Sequence, residues 1–226
     1  MKPKMIVKLC ADFAMTVILL LLMTYELIGQ TAHEWLGIAI FALFILHHIL
    51  NGGFYKSIFK GKYSPIRIFQ IILFVGVMLA MLGSAVSGVI ISRHALNFLP
   101  INGGRSFGRT LHMLSAYWGF ILMSLHFGFH WIVMLAPARK LIGKPPVKWT
   151  LRAIGTAVAG YGIYAFIKRD LVQYMFLKTQ FVFFDFEEPM MFFVLDYVAI
   201  MGFFVFIGHY ISVILRKIGG KKNEKI

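Results

Sequence analysis

The stretch Ile68–Ile91 reads IFQIILFVGVMLAMLGSAVSGVII, and no charged residue interrupts the chain between Arg67 and Arg93. An α-helix rises about 1.5 Å per residue, so a run of this length crosses the roughly 30 Å hydrocarbon layer of a bilayer. Water is absent from that layer, and a helix satisfies its peptide groups within one segment. Comparable runs recur on both sides of this one. They predict helices over 8–29, 33–55, 67–92, 109–136, 150–168 and 190–215, an all-α polytopic membrane helix bundle with six transmembrane helices. Gly52-Gly53, Pro65, Pro100 with Gly103-Gly104, Pro145-Pro146 and Pro189 punctuate them.

Composition agrees. The chain is 59% hydrophobic and 14% charged, against about a quarter charged in soluble domains. No separate soluble domain is left once the helices are assigned. The first apolar stretch continues to Leu27 without a small-x-small site, which argues against a cleavable signal peptide. Cys10 is the only cysteine, so an internal disulfide, a thiolate metal cluster and covalent c-type haem attachment are excluded.

The net charge of +14 is topological. All but six of the 23 lysines and arginines fall at the two termini, in the 2–3 loop and in the 4–5 loop. The exceptions are Arg93, Arg105, Arg109, Lys168, Arg169 and Lys178. The positive-inside rule then puts both termini in the cytoplasm of a bacterial cell, with the 93–109 and 169–189 loops outside. Glu34, Asp170, Asp185, Glu187 and Glu188 fall on the outer side, and no nucleic-acid partner is expected. The outer 169–189 segment is rich in aromatics, as membrane interfaces are.

Histidines carry the functional signal. His47 follows His33 by fourteen residues, and His126 follows His112 by the same interval. Fourteen steps of 100° stop about 40° short of four turns, so each pair shares one helix face, about 21 Å apart. The second and fourth helices run in the same direction. Packed together, they place His33 level with His112 near the outer surface and His47 level with His126 in the inner half. Two imidazoles facing each other across a bundle can ligate one haem iron from both sides. Two such pairs make an electron path across the membrane.

Other residues fit around this pattern. Gly37 and Gly119 would let a porphyrin approach the backbone. Arg93, Arg105 and Arg109 are placed to pair with outer propionates, and Lys56 or Lys60 with inner ones. His48 and His130 are second-choice ligands, and His130 is also a candidate for an inner metal or quinone site. His94 is read as solvated and His209 as a packing residue. His33-Glu34-Trp35-Leu36-Gly37 lacks the second histidine of a protease zinc motif. Asp12, Glu26 and Asp196 are acids in or near helices, where function is the default suspicion.

The run Thr31-Ala-His-Glu-Trp-Leu-Gly37, then His47-His-Ile-Leu-Asn51, Leu111-His-Met, Trp118-Gly-Phe and His126, resembles the bacterial flavinylation-associated cytochromes. The likeness covers roughly residues 5–136. The family pattern His…Gly…His-x-x-x-Asn maps onto His33, Gly37, His47 and Asn51, which favours His47 over His48. The resemblance implies two non-covalent b-type haems and electron transfer across the membrane towards extracytosolic proteins bearing covalent FMN. This chain has no Ser/Thr-Gly-Ala-Ser/Thr flavin-attachment motif, so a flavinylated acceptor would be a separate polypeptide. The arrangement is also similar to cytochrome b and to ferric-reductase-like proteins. Without a soluble flavin–nicotinamide domain, the chain could not draw electrons from NAD(P)H directly.

These expectations divide the chain into a four-helix haem-binding membrane domain, 1–136, and two further helices with an outer aromatic loop, 137–226. They describe a transmembrane cytochrome fed by quinol or a cytoplasmic-side donor. The competing class is a histidine-lined transporter or metal-ion channel without a redox cofactor. A third reading is a non-catalytic anchor subunit of a larger complex.

Overall fold

A computed structural model describes residues 3–58, 60, 63–138 and 144–223, the side chains of 219–223 excepted. Lys2, Lys62, Arg139, Lys140 and Lys225, which enter the charge bias, lie outside the described residues. The fold is all-α, with no strand among those residues. In chain order the helices are α1 (Pro3–Met23), α2 (Tyr25–Leu50), α3 (Gly53–Ile58), α4 (Pro65–Ile91), α5 (Arg105–Phe129), α6 (Trp131–Met134), α7 (Pro145–Lys168), α8 (Leu171–Met175) and α9 (Met190–Asn223). Pro65 opens α4, and Pro145-Pro146 open α7. There the missing N–H costs nothing and the fixed φ is already helical.

The chain is a helical membrane protein. Five of the described helices, α1, α2, α4, α7 and the Met190–Ile218 part of α9, are long and apolar enough to cross a bilayer. α5 matches them in length but carries Arg105, Arg109, Thr110, His112 and His126, and it is not one of the five. It instead buries Tyr117, Phe120, Ile121 and Phe129.

Most predicted helix ends shift by one to eight residues, and two of the shifts mark breaks in the chain. The first turn falls at Thr24, not at 30–32, and α2 then kinks at Gly29, where φ is 76° and ψ 164°. That conformation is open to glycine and strained for other residues, so Gly29 separates a single turn, 25–28, from the straight part of α2. The fourth long helix ends at Phe129 rather than 136, and His130 caps a separate short helix.

The described chain forms two compact units. The first comprises Met1–Gly61, Met78–Trp118 and Val172–Val194. Within it, Trp118 Nε1 donates to the Met175 carbonyl at 2.9 Å, and Tyr117 stacks on Tyr174 at 4.9 Å. The second comprises Lys62–Val77, Gly119–Leu171 and Leu195–Ile226. There α9 is held by glycine contacts. A Cβ on Gly128 or Gly208 would strike the backbone of Val205 or Leu125, and one on Gly162 would strike that of Ala199. Small residues at such crossings let helix backbones touch where lipid offers no hydrophobic drive to association.

Gly128→Ala is therefore expected to push two helices apart. Overpacking of this kind costs about 1–3 kcal/mol, read as a lower Tm of the detergent-solubilised protein. Gly160, whose Cβ position meets nothing within 4 Å, supplies the control. If Gly160→Ala and Gly128→Ala melt alike, the close approach at Gly128 is not a stabilising contact.

Candidate functional site

The site is built where α4 and α5 meet. Gly103 and Gly104, at φ 93° and 71°, turn the chain into α5. A Cβ on Gly108 would lie 2.7 Å from Ile91 Cγ2, and one on Gly83 would collide with the Ser115 hydroxyl. This close approach brings Ser87 Oγ to 3.0 Å from His112 Nδ1. The Ser87 hydroxyl donates to the Gly83 carbonyl at 2.6 Å, so its oxygen accepts and the ring Nδ1–H donates. His112 would thereby be held in the tautomer that leaves Nε2 free, as ligating histidines commonly hydrogen-bond through their other ring nitrogen. Gly88 lies alongside, its Cβ position 4.0 Å from His112 Cε1.

His33, from α2, faces this ring. The two centroids are 5.9 Å apart with planes at 70°. Two metal–nitrogen bonds of about 2 Å plus the half-widths of two rings put the imidazoles on a shared iron about 6 Å apart. The His33 ring meets Tyr25 edge-on at 5.1 Å. Its Nδ1 is buried without a hydrogen-bond partner among the described residues, and such orphans in a native fold call for an explanation. A ring separation of 5.9 Å would suit an iron held between the two imidazoles. No cluster of three or more His, Cys, Asp or Glu occurs among the described residues. A haem would need only two protein ligands, which His33 and His112 would supply.

Glu34, next to His33, has a role that sequence reasoning missed. Its carboxylate accepts from Ser92 Oγ at 2.8 Å and from the backbone N–H groups of Arg93, His94 and Ala95 at 3.0, 2.9 and 2.8 Å. Gln30 Nε2 adds a further bond at 3.0 Å. Glu34 thus clamps the loop after α4 onto the helix that carries His33. Arg93 and Arg105 share an open cavity of about 490 Å³ with Ser92, Asn97 and Asn102. Arg109 lines a different one with Ser106, Thr110 and Gln180. The three arginines proposed for propionates are therefore divided between two cavities. His94 is exposed.

At the other end of α2, His47 Nδ1 lies 2.6 Å from Asp12 Oδ1 of α1. Asn51, the last residue of the family-like pattern, donates to the His47 carbonyl at 2.8 Å and accepts from Lys8 Nζ at 2.8 Å. His48 points elsewhere: its Nδ1 meets Tyr55 OH at 2.6 Å, and its ring sits edge-on to Phe44 at 4.2 Å. The two adjacent histidines thus have different jobs. Lys56 and Lys60 are exposed.

His126 belongs to the second unit, whereas His47 belongs to the first. Within the second unit the His126 and His130 rings lie 4.8 Å apart. His130 stands at the break between α5 and α6, not inside a continuing helix. Gly119 is buried, whereas the Cβ position of Gly37 meets open space. Glu26 is exposed. Asp196 is fully buried and accepts from Tyr161 OH, Lys168 Nζ and Arg169 Nε at 2.6, 2.9 and 2.8 Å. His209 Nδ1 and Ser212 Oγ are buried without hydrogen-bond partners among the described residues. No family model, curated protein or solved structure matches the chain.

Proposed function

We propose that the chain is a b-type cytochrome that carries electrons across the bacterial cytoplasmic membrane, with α5 as a sixth span and both termini cytoplasmic. One observation carries the reading: His33 and His112 oppose each other at 5.9 Å, with the His112 tautomer set by Ser87 and a buried nitrogen of His33 unsatisfied. When bound, a b-type haem supplies a one-electron iron couple. The chain's own residues do the rest. Ser87 orients His112, Tyr25 packs against His33, and Glu34 fixes the loop above them. Arg93 and Arg105 offer guanidinium groups to the propionates of that haem. His47, with Nδ1 committed to Asp12, offers Nε2 to a second, inner haem.

Electrons would enter from quinol or a cytoplasmic-side donor and leave to an extracytosolic redox protein. The flavinylated partner class rests on the resemblance to flavinylation-associated cytochromes. Haem stoichiometry tests the proposal. Purified protein, quantified by amino-acid analysis, should give two haems per chain by pyridine haemochrome. Colourless, folded protein that takes up no haem would replace this reading with the histidine-lined transporter or channel.

A further inference from the structure

The end of α4 is bonded to both sides of the outer histidine pair. On one side Ser87 Oγ lies 3.0 Å from His112 Nδ1. Five residues on, about 7.5 Å along a helix axis, Ser92 Oγ donates to Glu34 at 2.8 Å. The helical spacing holds to that point, because Ser92 N–H still donates to the Gly88 carbonyl at 2.9 Å. The backbone N–H groups of Arg93, His94 and Ala95 then close on the same carboxylate at 3.0, 2.9 and 2.8 Å. Gln30, one turn earlier on α2, holds one carboxylate oxygen at 3.0 Å. Glu34 directly follows His33, and all these residues lie in the first compact unit.

The two rings are not held in the same way. His112 is fixed through its own ring nitrogen. His33 Nδ1 has no hydrogen-bond partner among the described residues, so the place of that ring depends on the backbone of α2. Glu34 ties that backbone to the helix that orients His112. Hydrogen bonds to an ionised acceptor are roughly twice as strong as neutral ones, and four of them arrive here from one turn of chain. Ligands on different helices must keep their places to within about 0.5 Å for a metal site to work. Access to an axial position decides whether a haem protein binds small ligands or only passes electrons.

We infer that Glu34 is a positioning residue that holds His33 against His112, keeping both axial positions of the outer site filled and closed to dioxygen and carbon monoxide. This rests on the cytochrome reading above. Glu34 acts through His33 and through the turn after α4, and its carboxylate is already committed to that turn. Loosening the clamp should free His33 to swing away while Ser87 still holds His112.

Two measurements on the purified full chain test this, and the first needs no haem. Arg93 and His94 are exposed, so slow deuterium exchange of their amides would come from the bonds to Glu34. Glu34→Gln replaces one carboxylate oxygen by a group that cannot accept. It should speed exchange across 93–95 by about tenfold, the effect of losing one hydrogen bond to a charged group. Unchanged exchange overturns the clamp. The second measurement adds carbon monoxide to the dithionite-reduced protein, with haem content measured first. The native chain should give no carbon monoxide difference spectrum, and Glu34→Gln should give one while keeping its haem. Glu34→Asp, which retains the carboxylate, should give a smaller signal. Asp196→Ala, which loosens the second compact unit, should stay closed and so separates positioning from general instability. If Glu34→Gln loses haem, Ser92→Ala, which removes one donor and keeps the carboxylate, takes its place. The inference is overturned if the native chain binds carbon monoxide, if the clamp variants keep haem and exclude it, or if Asp196→Ala opens equally. In each of those cases haem is present and the cytochrome reading stands. Folded protein without haem defeats that reading and this inference with it, and the exchange measurement still shows whether Glu34 holds the turn.

Discussion

Alanine at His33 and alanine at His112 are expected to remove the same haem. The rings stand 5.9 Å apart, close enough to share one iron and too close to serve two. Each single variant should drop haem content from two per chain to one, and the double variant should lose no more. Partners at one site are strongly non-additive in this way, while separate sites act independently. His33→Ala combined with His47→Ala should abolish both haems. His48 and His130 are the residues able to substitute as ligands, so each variant is read by stoichiometry and by low-temperature α-band shape. If His33→Ala and His112→Ala remove different haems, the outer pairing is wrong and the ligand set must be redrawn.

Asp196→Ala is expected to cost about 3–5 kcal/mol, the range found when one partner of a buried ion pair is deleted. The Asp196 side chain has no exposure, and Arg169, whose side chain is only 12% exposed, meets it at 2.7 Å. Lys168 and the Tyr161 hydroxyl converge on the same carboxylate. Without it, two cations at the end of α7 lose their counter-charge. The variant should give less monodisperse protein in detergent and a markedly lower Tm, while haem bound to the surviving folded fraction stays near two per chain. Opposite behaviour, normal stability with lost electron transfer, would return Asp196 to the list of functional intramembrane acids.

Asp196 marks how far the sequence alone reaches. An acid inside a span is visible in the sequence. Its three donors are not, because Tyr161 and Arg169 lie 35 and 27 residues away and only the packing of α7 against α9 unites them. The long helices were legible since apolar run length reports directly on membrane thickness. The break at His130 was not: no proline marks it, and the apolar run continues through Trp131–Met134. Gly29 was visible as an end but not as a kink, since its positive φ depends on how α1 returns into α2. The fourteen-residue spacing placed His33 and His112 at one level, and their rings do meet. The spacing said nothing of Ser87, Asp12 or Glu34. Hydrogen-bond partners from other helices, and a carboxylate that collects backbone amides, leave no periodic trace.

The modest apolarity of α5 bears on how the protein is made. Each arginine near the centre of a span raises the insertion free energy by about 2.5–3.5 kcal/mol, with much less near the ends, and α5 begins with Arg105 and Arg109 and carries His112 and His126 within. Released alone from the translocon, such a segment partitions poorly into lipid. α4 precedes it and is far more apolar. Gly83 and Gly108 let the two helices touch along their length, and the Ser87 contact hides one imidazole nitrogen. If α5 is the sixth span proposed above, it is suited to enter the bilayer as the companion of α4 rather than as an independent helix, and the residues of the proposed haem site are the same ones that would need that escort.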